Sequence, residues 1–463
     1  MADRDYRSFS YWLETCGDDL TPRPVLDGSI DVDIAILGAG YTGLWTAWQL
    51  LEREPNLRIA VIESEIAGFG AAGRNGGWCY ASIALGPADL TAKYGRDAAR
   101  SVAEAMSGAV REVDRVCTLE GIDADIARRG ALDVARADWQ VERVRSGHDA
   151  WQAIGYGDHV EFLDAAETKR RVNIPNAQAS MWKHDAIAIQ PAKLARGLAR
   201  AVERKGAVIY EQTRVLDYHG GETPVLVTDK GDVRASRAIV LAGEAYLARL
   251  AKTRRHLIPL TSNMVITEPL PQAVWDEIGW SGRELVGGSG LTGSYIQKTA
   301  DGRIALGPYR TRYPYNSRIT DALDCDESVF AHARRCVRTW FPQVGDVRFS
   351  NAWGGVFGMP RDQMPTMGFN PRTKVAMACG YTGSGVATAA LSGQVLADLI
   401  TGTPSPLTRL PMATHKPVEW EPEPLRYLGV TYVQRSFINL QEKIDRDGHP
   451  PKRKTIAQHF YDR

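Results

Sequence analysis

The stretch Ile34–Glu65, "IAILGAGYTGLWTAWQLLEREPNLRIAVIESE", decides the fold. An apolar run, Ile34–Leu37, meets three glycines, Gly38, Gly40 and Gly43. Leu44, Ala47, Trp48 and Leu51 then recur on one helical face. The pattern predicts a strand over 34–37, a helix over 41–52 and a second strand over 58–62. Each glycine has a separate task. Gly38 turns the chain out of the strand, Gly40 leaves the backbone bare for a pyrophosphate, and Gly43 lets helix and strand pack closely. The helix N-terminus adds unpaired N–H groups and a positive dipole end. Glu63 lies 20 residues beyond Gly43, where a carboxylate accepts hydrogen bonds from an adenosine ribose and disfavours a 2′-phosphate. These parts in register point to a dinucleotide rather than to a structural turn. They do not separate a nicotinamide from a flavin nucleotide.

Composition excludes more than it assigns. The 463 residues are 44% hydrophobic and 24% charged, as in ordinary soluble proteins. A formal net charge of +1 gives no reason to expect nucleic acid or an acidic membrane surface. The six cysteines form no CxxC pair, so neither a disulfide scaffold nor a metal site is expected. The first residues lack the apolar core of a signal peptide, and no apolar run reaches the ~18 residues of a membrane span. A cytoplasmic location is expected, and the oligomeric state is left open.

Working outward, residues 89–145 read as mostly helical. Residues 179–190 read as a strand, and Pro191 opens a helix over 192–205. Strand-like runs follow at 207–210 and 225–228 and around "RAIVLAGEAY". Short strands occupy 257–308, with a hairpin at Asp301-Gly302. A helix over 327–341 precedes "KVAMACGYTGSGVATAALSGQVLADLITG", a strand, glycine turn and helix ending at Gly402. Beyond a proline-rich stretch to Pro424, Val430, Val433, Phe437, Leu440 and Ile444 form the stripe of a helix that docks on the body.

Two further glycine clusters carry chemistry. Five of the ten residues in "GFGAAGRNGG", Gly68 to Gly77, are glycine, a composition suited to a flat ring or phosphate touching backbone. Gly380, Gly383 and Gly385 aim a second helix N-terminus, whose dipole would favour an anionic reduced flavin. A structural turn explains that second cluster equally well.

Together these residues resemble the D-amino acid oxidase, glycine oxidase and sarcosine oxidase superfamily of flavoproteins. "GRNGG" and "WEPEPLRYLGV" look most like its gamma-glutamylputrescine oxidase-like branch. The resemblance runs from about Asp31 to Arg426. It implies an α/β fold, with a Rossmann-type FAD-binding domain interleaved with an antiparallel-sheet substrate domain and followed by a C-terminal helical tail. The expected division gives 1–95, 186–256 and 346–405 to the FAD domain. Residues 96–185 and 257–345 go to the substrate domain, and 406–463 to the extension.

For FAD, the resemblance implies Gly38, Gly40, Tyr41, Thr42, Gly43, Glu63 and Ser64 at the ADP half. Gly70, Arg74, Asn75, Gly76 and Gly77 would lie along the pyrophosphate and flavin. Val215 would meet the adenine, with Ala242 and Gly243 near the cofactor. Gly380, Gly383, Ser384, Gly385 and Val386 would sit by the pyrimidine end. The stretch before the late glycine turn has no cysteine, so the flavin is expected to be non-covalent. Sarcosine oxidases place a lysine over the flavin for oxygen chemistry, and Ala305 falls near that position here.

The implied reaction moves a hydride from the carbon bearing an amine to flavin N5. The resulting imine hydrolyses to an aldehyde or keto acid, and O2 becomes hydrogen peroxide. No protein general base is required. Substrate candidates are Tyr295, Gln297, Lys298, Tyr309 and Arg310, with Trp353, Phe357, Met359 and Tyr381 as pocket walls. Arg310 is the expected clamp for an anionic group such as a carboxylate or phosphonate, with Lys298 and Arg312 nearby. His184 and Asp185 read as a kink or a satisfied polar pair. Rival readings are a dehydrogenase passing electrons to a quinone, an NAD(P) dehydrogenase, and a flavin-binding or tRNA-modification module.

Overall fold

The fold is described from a computed structural model covering residues 4–290, 293–321, 325–451 and 453–461. Its strands, in chain order, begin with β1 Ile30–Leu37, β2 Ile59–Ile62, β3 Trp78–Tyr80, β4 Ala131–Ala135, β5 Val160–Asp164 and β6 Ala179–Lys183. Next come β7 Ala186–Ala188, β8 Val208–Tyr210, β9 Val215–His219, β10 Val225–Thr228, β11 Asp232–Leu241 and β12 Ile258–Thr267. The last six are β13 Leu285–Gly288, β14 Ser294–Lys298, β15 Ile304–Pro308, β16 Phe349–Met359, β17 Thr366–Asn370 and β18 Val375–Cys379. The principal helices are α1 Tyr41–Arg53, α2 Arg96–Glu120, α3 Pro191–Arg204, α4 Glu327–Trp340, α5 Gly385–Thr401 and α6 Leu425–Asp447.

The opening motif builds the centre of the first eight-stranded sheet, ordered β17-β18-β11-β1-β2-β8, with β10 and β9 added beside β11. β1 pairs in parallel with β2 and β11, and β11 with β18. β2 is wholly buried, as a parallel strand covered on both faces must be. α1 packs against α5 so closely that a Cβ on Gly393 would sit 2.7 Å from the Trp45 carbonyl carbon. Trp45 and Trp48 are fully buried there, in a core shared with α2 and α3. α3 begins as expected: Pro191 is its first residue, and the Gln190 side chain accepts from the Lys193 N–H.

The second eight-stranded sheet runs β16-β12-β15-β14-β13-β4-β6-β5. It is antiparallel except where β13 meets β4, and α4 covers one face. A small ribbon, β3 with β7, lies between the two cores.

Three expectations are corrected. The helical reading of 89–145 breaks at Gly121, which caps α2 at φ +65°, and β4 follows. The grouping of 346–405 departs from sheet membership, because β16 pairs along its whole length with β12 in the second sheet. The strand expected over 179–190 is two strands. At the break, Asp185 accepts from the Ser107 hydroxyl at 2.7 Å and lies 2.6 Å from His159 Nδ1, while His184 Nε2 meets Glu161. α6 docks through Leu440 and Ile444, which are buried. Among the described residues no helix is long and apolar enough to cross a membrane.

Candidate active site

A cleft of roughly 640 Å³ opens between the sheets. Its first wall is the opening motif. Gly38 has φ +99°, and a Cβ on it would press on the Ala242 carbonyl oxygen at 2.8 Å. Gly40 caps α1 without any side-chain hydrogen bond, so the first N–H groups of the helix are left for a ligand. A Cβ on Gly40 would meet only Ala72 Cβ, at 3.9 Å, so the backbone faces open space. Gly43 lies behind this wall, where a Cβ would strike the Gly38 carbonyl.

Glu63 lines the cleft at the end of β2, accepting from the Ala39 N–H at 2.9 Å and the Glu65 N–H at 3.0 Å. Burial pushes its carboxyl above the usual range, while those N–H groups pull the other way. Tyr41, Thr42, Ser64, Gly70, Asn75, Gly76, Val215, Ala242 and Gly243 also line the cleft. Arg74 lines it too, with Nε donating to the Phe69 carbonyl at 2.9 Å and its guanidinium 4.2 Å from the Phe69 ring centre.

The second wall is the late glycine turn. Ser384 is the N-cap of α5 but its side chain makes no capping hydrogen bond, and Gly383, Ser384, Gly385 and Val386 face the cleft. Gly380 does not line it, since a Cβ there would lie 3.1 Å from Pro360 Cγ. Tyr381 does; its hydroxyl is 2.8 Å from Thr42 Oγ1 and 3.0 Å from Ser392 Oγ, which joins the two glycine walls.

The third wall is aromatic. Trp78, Tyr80, Tyr295, Tyr309 and Phe357 line it. Tyr295 OH is 2.9 Å from Ser262 Oγ, and burial pushes its phenol up to about 12. Tyr80 OH is 2.9 Å from Ser384 Oγ. Tyr309 keeps 51% of its surface accessible and opens into the cleft.

Six predicted substrate contacts are placed elsewhere. Lys298 points to the opposite face of β14, donating to the Trp280 carbonyl at 2.6 Å over the Trp275 ring. Gln297 shares Tyr295's face but is buried beneath Gly77, donating to the Ile189 carbonyl at 3.0 Å. Gly77 itself is not in the cleft wall. Arg310 pairs with Glu442 of α6 at 3.7 Å and does not line the cleft. Arg312 faces Asp326 at 4.0 Å. Trp353 is core, its indole N–H donating to the Arg74 carbonyl at 2.9 Å. The Met359 carbonyl accepts from Trp420 at 2.9 Å, away from the cleft.

Sequence reasoning missed Trp78, Tyr80, Ser262 and Glu244. Trp78 and Tyr80 follow the second glycine cluster directly and alternate around buried Cys79. That alternation was the available signal. Glu244 carried none, because its partners are backbone N–H groups distant in sequence.

The walls fit a dinucleotide: two helix N-termini without side-chain caps, a backbone cradle in which Gly40 is open, and a carboxylate at the end of β2. That arrangement defines a class. The chain belongs to the DAO family of FAD-dependent oxidoreductases, whose pattern it matches over residues 33–399. Among individual proteins it is similar to gamma-glutamylputrescine oxidoreductase of Escherichia coli (strain K12), with 28% identity over 395 residues, 85% of this chain and 89% of the relative. It is also similar to glycine oxidase of Geobacillus kaustophilus (strain HTA426), with 23% identity across 80% of this chain and 92% of the relative. The crystal structure of glycine oxidase from Geobacillus kaustophilus shares the fold with a TM-score of 0.66, at 21% identity, over 83% of this chain and 99% of that one.

Proposed function

We propose that this chain oxidises the C–N bond of a small amine or amino acid, using FAD held non-covalently in the cleft. The observation that carries the reading is the composition of the cleft. Glycine-lined backbone and uncapped helix ends form two walls, and an aromatic, hydroxyl-bearing wall faces them. The names of the relatives, a gamma-glutamylputrescine oxidoreductase and a glycine oxidase, support an amine or amino acid as the substrate class. Bound FAD supplies a two-electron acceptor. The protein's part is to orient the reacting carbon and exclude water.

In this reading Gly38, Gly40, Tyr41 and Thr42 take the pyrophosphate. Glu63 takes the ribose and Val215 the adenine. Gly383 to Val386 present the α5 N-terminus to the electron-rich edge of the ring. Tyr295, held by Ser262, and Tyr80, held by Ser384, shape the substrate side. The Tyr295 phenol is no base at neutral pH, because burial raises it further above a range in which it is already protonated. Among the described lining residues there is no cysteine or histidine, which supports a dissociable flavin.

O2 is the proposed electron acceptor. One observation favours a dehydrogenase instead: Ala305, where related oxidases place a lysine, is fully buried, and among the described residues no lysine lines the cleft. The experiment is an anaerobic absorbance screen of the yellow holoenzyme against amines and amino acids. Bleaching by a compound identifies a substrate, and peroxide on admitting air identifies an oxidase. Folded protein that neither retains nor takes up FAD, or retains it but is bleached by no amine, overturns the reading.

A further inference from the structure

Ser384, Thr388 and Ser392 place three buried hydroxyls one turn apart along α5 and its N-cap. Two are committed inside the helix. The Thr388 hydroxyl donates to the Ser384 carbonyl at 2.6 Å, and the Ser392 hydroxyl to the Thr388 carbonyl at 2.8 Å. Ser384 differs. An N-cap serine ordinarily has extended dihedrals and accepts from an N–H of the first turn. This one sits at φ −96°, ψ 37° and makes no such bond. Its Oγ lies instead 2.9 Å from the Tyr80 hydroxyl.

The bond joins two walls, since Ser384 belongs to the late glycine turn, Tyr80 to the aromatic side, and both line the cleft. β3 does not need it to keep its place. Its three residues already pair with β7, and the Ala81 N–H donates to the Asp185 carbonyl at 2.9 Å. Two hydroxyls bonded to each other use one proton and keep a second to give away. With Tyr80 as donor, the phenol oxygen is open to an incoming N–H and the serine proton is open to an acceptor. That proton then stands beside the uncapped N–H groups of α5. Hydrogen bonds in such a one-way chain strengthen one another.

We propose that Tyr80 accepts an N–H from the neutral, reacting amine, and that Ser384 is the positioning residue behind it. Ser384 holds the phenol and gives its own proton to the cofactor at the α5 N-terminus. The opposite polarity would aim the phenol proton at the nitrogen lone pair, which must stay free while the neighbouring carbon gives up hydride. The relay selects primary and secondary amines over tertiary ones, which have no N–H to offer. This rests on the reading of the cleft as an amine site holding FAD.

The test uses FAD-loaded enzyme with benzylamine, N-methylbenzylamine and N,N-dimethylbenzylamine at alkaline pH, where the neutral amines predominate. Binding is read from perturbation of the flavin spectrum, and turnover from anaerobic bleaching. The variants are Tyr80→Phe, Ser384→Ala, both together, and Ser384→Thr; melting curves and flavin content confirm each fold. We expect each single loss of a hydroxyl to weaken binding of the two N–H amines about tenfold, and the double variant to weaken it little further. Ser384→Thr, which keeps the hydroxyl, should recover most of the loss. The dimethyl compound should bind the wild type about tenfold less well, a gap that Tyr80→Phe narrows to about twofold. Without any amine, Ser384→Ala should lower the flavin midpoint potential by about 30 mV, a tenfold loss of preference for the electron-rich reduced form.

Additive losses make the two hydroxyls independent, and a wild type that binds none of the three amines, or all alike, removes the N–H contact; either overturns the proposal. So does a Ser384→Ala protein whose melting point falls while binding and potential stay put, because the serine is then a helix cap and nothing more. Should Ser384→Ala not fold, Tyr80→Phe, which removes a single oxygen, still decides. Wild-type flavin bleached by no amine in the wider screen fails the amine reading and Tyr80's part with it. An unmoved potential overturns Ser384's part separately.

Discussion

Glu244 carries a side chain at φ +47°, in the left-handed region that L-residues other than Asn and Asp seldom adopt. Its carboxylate holds that geometry by accepting from the N–H groups of Gly358 at 2.6 Å, Gly380 at 3.1 Å and Tyr381 at 3.2 Å. It thus ties the second sheet to the late glycine turn, within the cleft wall. Glu244→Ala leaves those donors unsatisfied and should destabilise the fold by about 2–4 kcal/mol; Glu244→Gln should cost less. Denaturant melts of both variants check this, and an unchanged midpoint for the alanine form would remove the role. Arg310 makes the opposite case. Its charge partner among the described residues is Glu442, 3.7 Å away on a part-exposed surface, a pairing worth about 0–1 kcal/mol. Arg310→Ala should therefore change KM for anionic and neutral amines equally and by less than about twofold. Steady-state kinetics on both substrates decide it.

At the scale of elements, the segment ahead of the family match acts as a clasp. Arg4 pairs with Glu65 at 2.6 Å and also with Asp321, one residue from the first sheet's side and one from the second's, both in the cleft wall. Its guanidinium lies 4.8 Å from the Phe9 ring centre and 5.1 Å from that of Phe69. Arg4→Ala should speed FAD release several-fold at low salt. The difference should shrink near 1 M salt, because a part-exposed ion pair weakens as salt screens it. Flavin fluorescence after dilution measures both rates. The opposite end of the first sheet is held by Asp33, which accepts from the Arg58 backbone N–H at 2.9 Å and the Ser236 hydroxyl at 3.1 Å. The Arg58 side chain, its largest influence, lowers the Asp33 carboxyl from 3.8 to about 2. A carboxyl lowered on folding stabilises above its unfolded value and loses that contribution as pH falls toward the folded one. Asp33→Asn should therefore remove part of the acid loss of stability between pH 3.8 and about 2, seen as a flatter dependence of melting temperature on pH. At the C-terminal side, α6 braces the cleft through Gln434, whose amide donates to Thr311 Oγ1 at 3.2 Å.

At the scale of the molecule, the cleft takes its walls from both sheets, so a cofactor held there as proposed would belong to neither core alone. Ligand that binds only the folded chain stabilises it by about 2.7 kcal/mol at a hundredfold excess over Kd. Added FAD should accordingly raise the melting of the whole chain in one cooperative step. Differential scanning calorimetry would show otherwise as two transitions of which only one moves.

The first sheet's centre and the nucleotide wall were legible because local backbone geometry encodes them. Gly38 at φ +99°, the bare Gly40 and the acid at the end of β2 follow from spacing within one βαβ unit. β4 was illegible, since "ALDVA" becomes a strand only by pairing with β6 and β13. The substrate side failed for a related reason. Tyr295 and Gln297 share one face and Lys298 takes the other, but a five-residue strand does not say which face meets the cleft or which residue lies beneath another backbone. The sequence alone thus determined the dinucleotide motif and, through resemblance, the flavin class, because those depend on contacts close along the chain. Only the tertiary structure decided the aromatic wall and the position of Glu244, because each is set by strands and turns that meet across long separations.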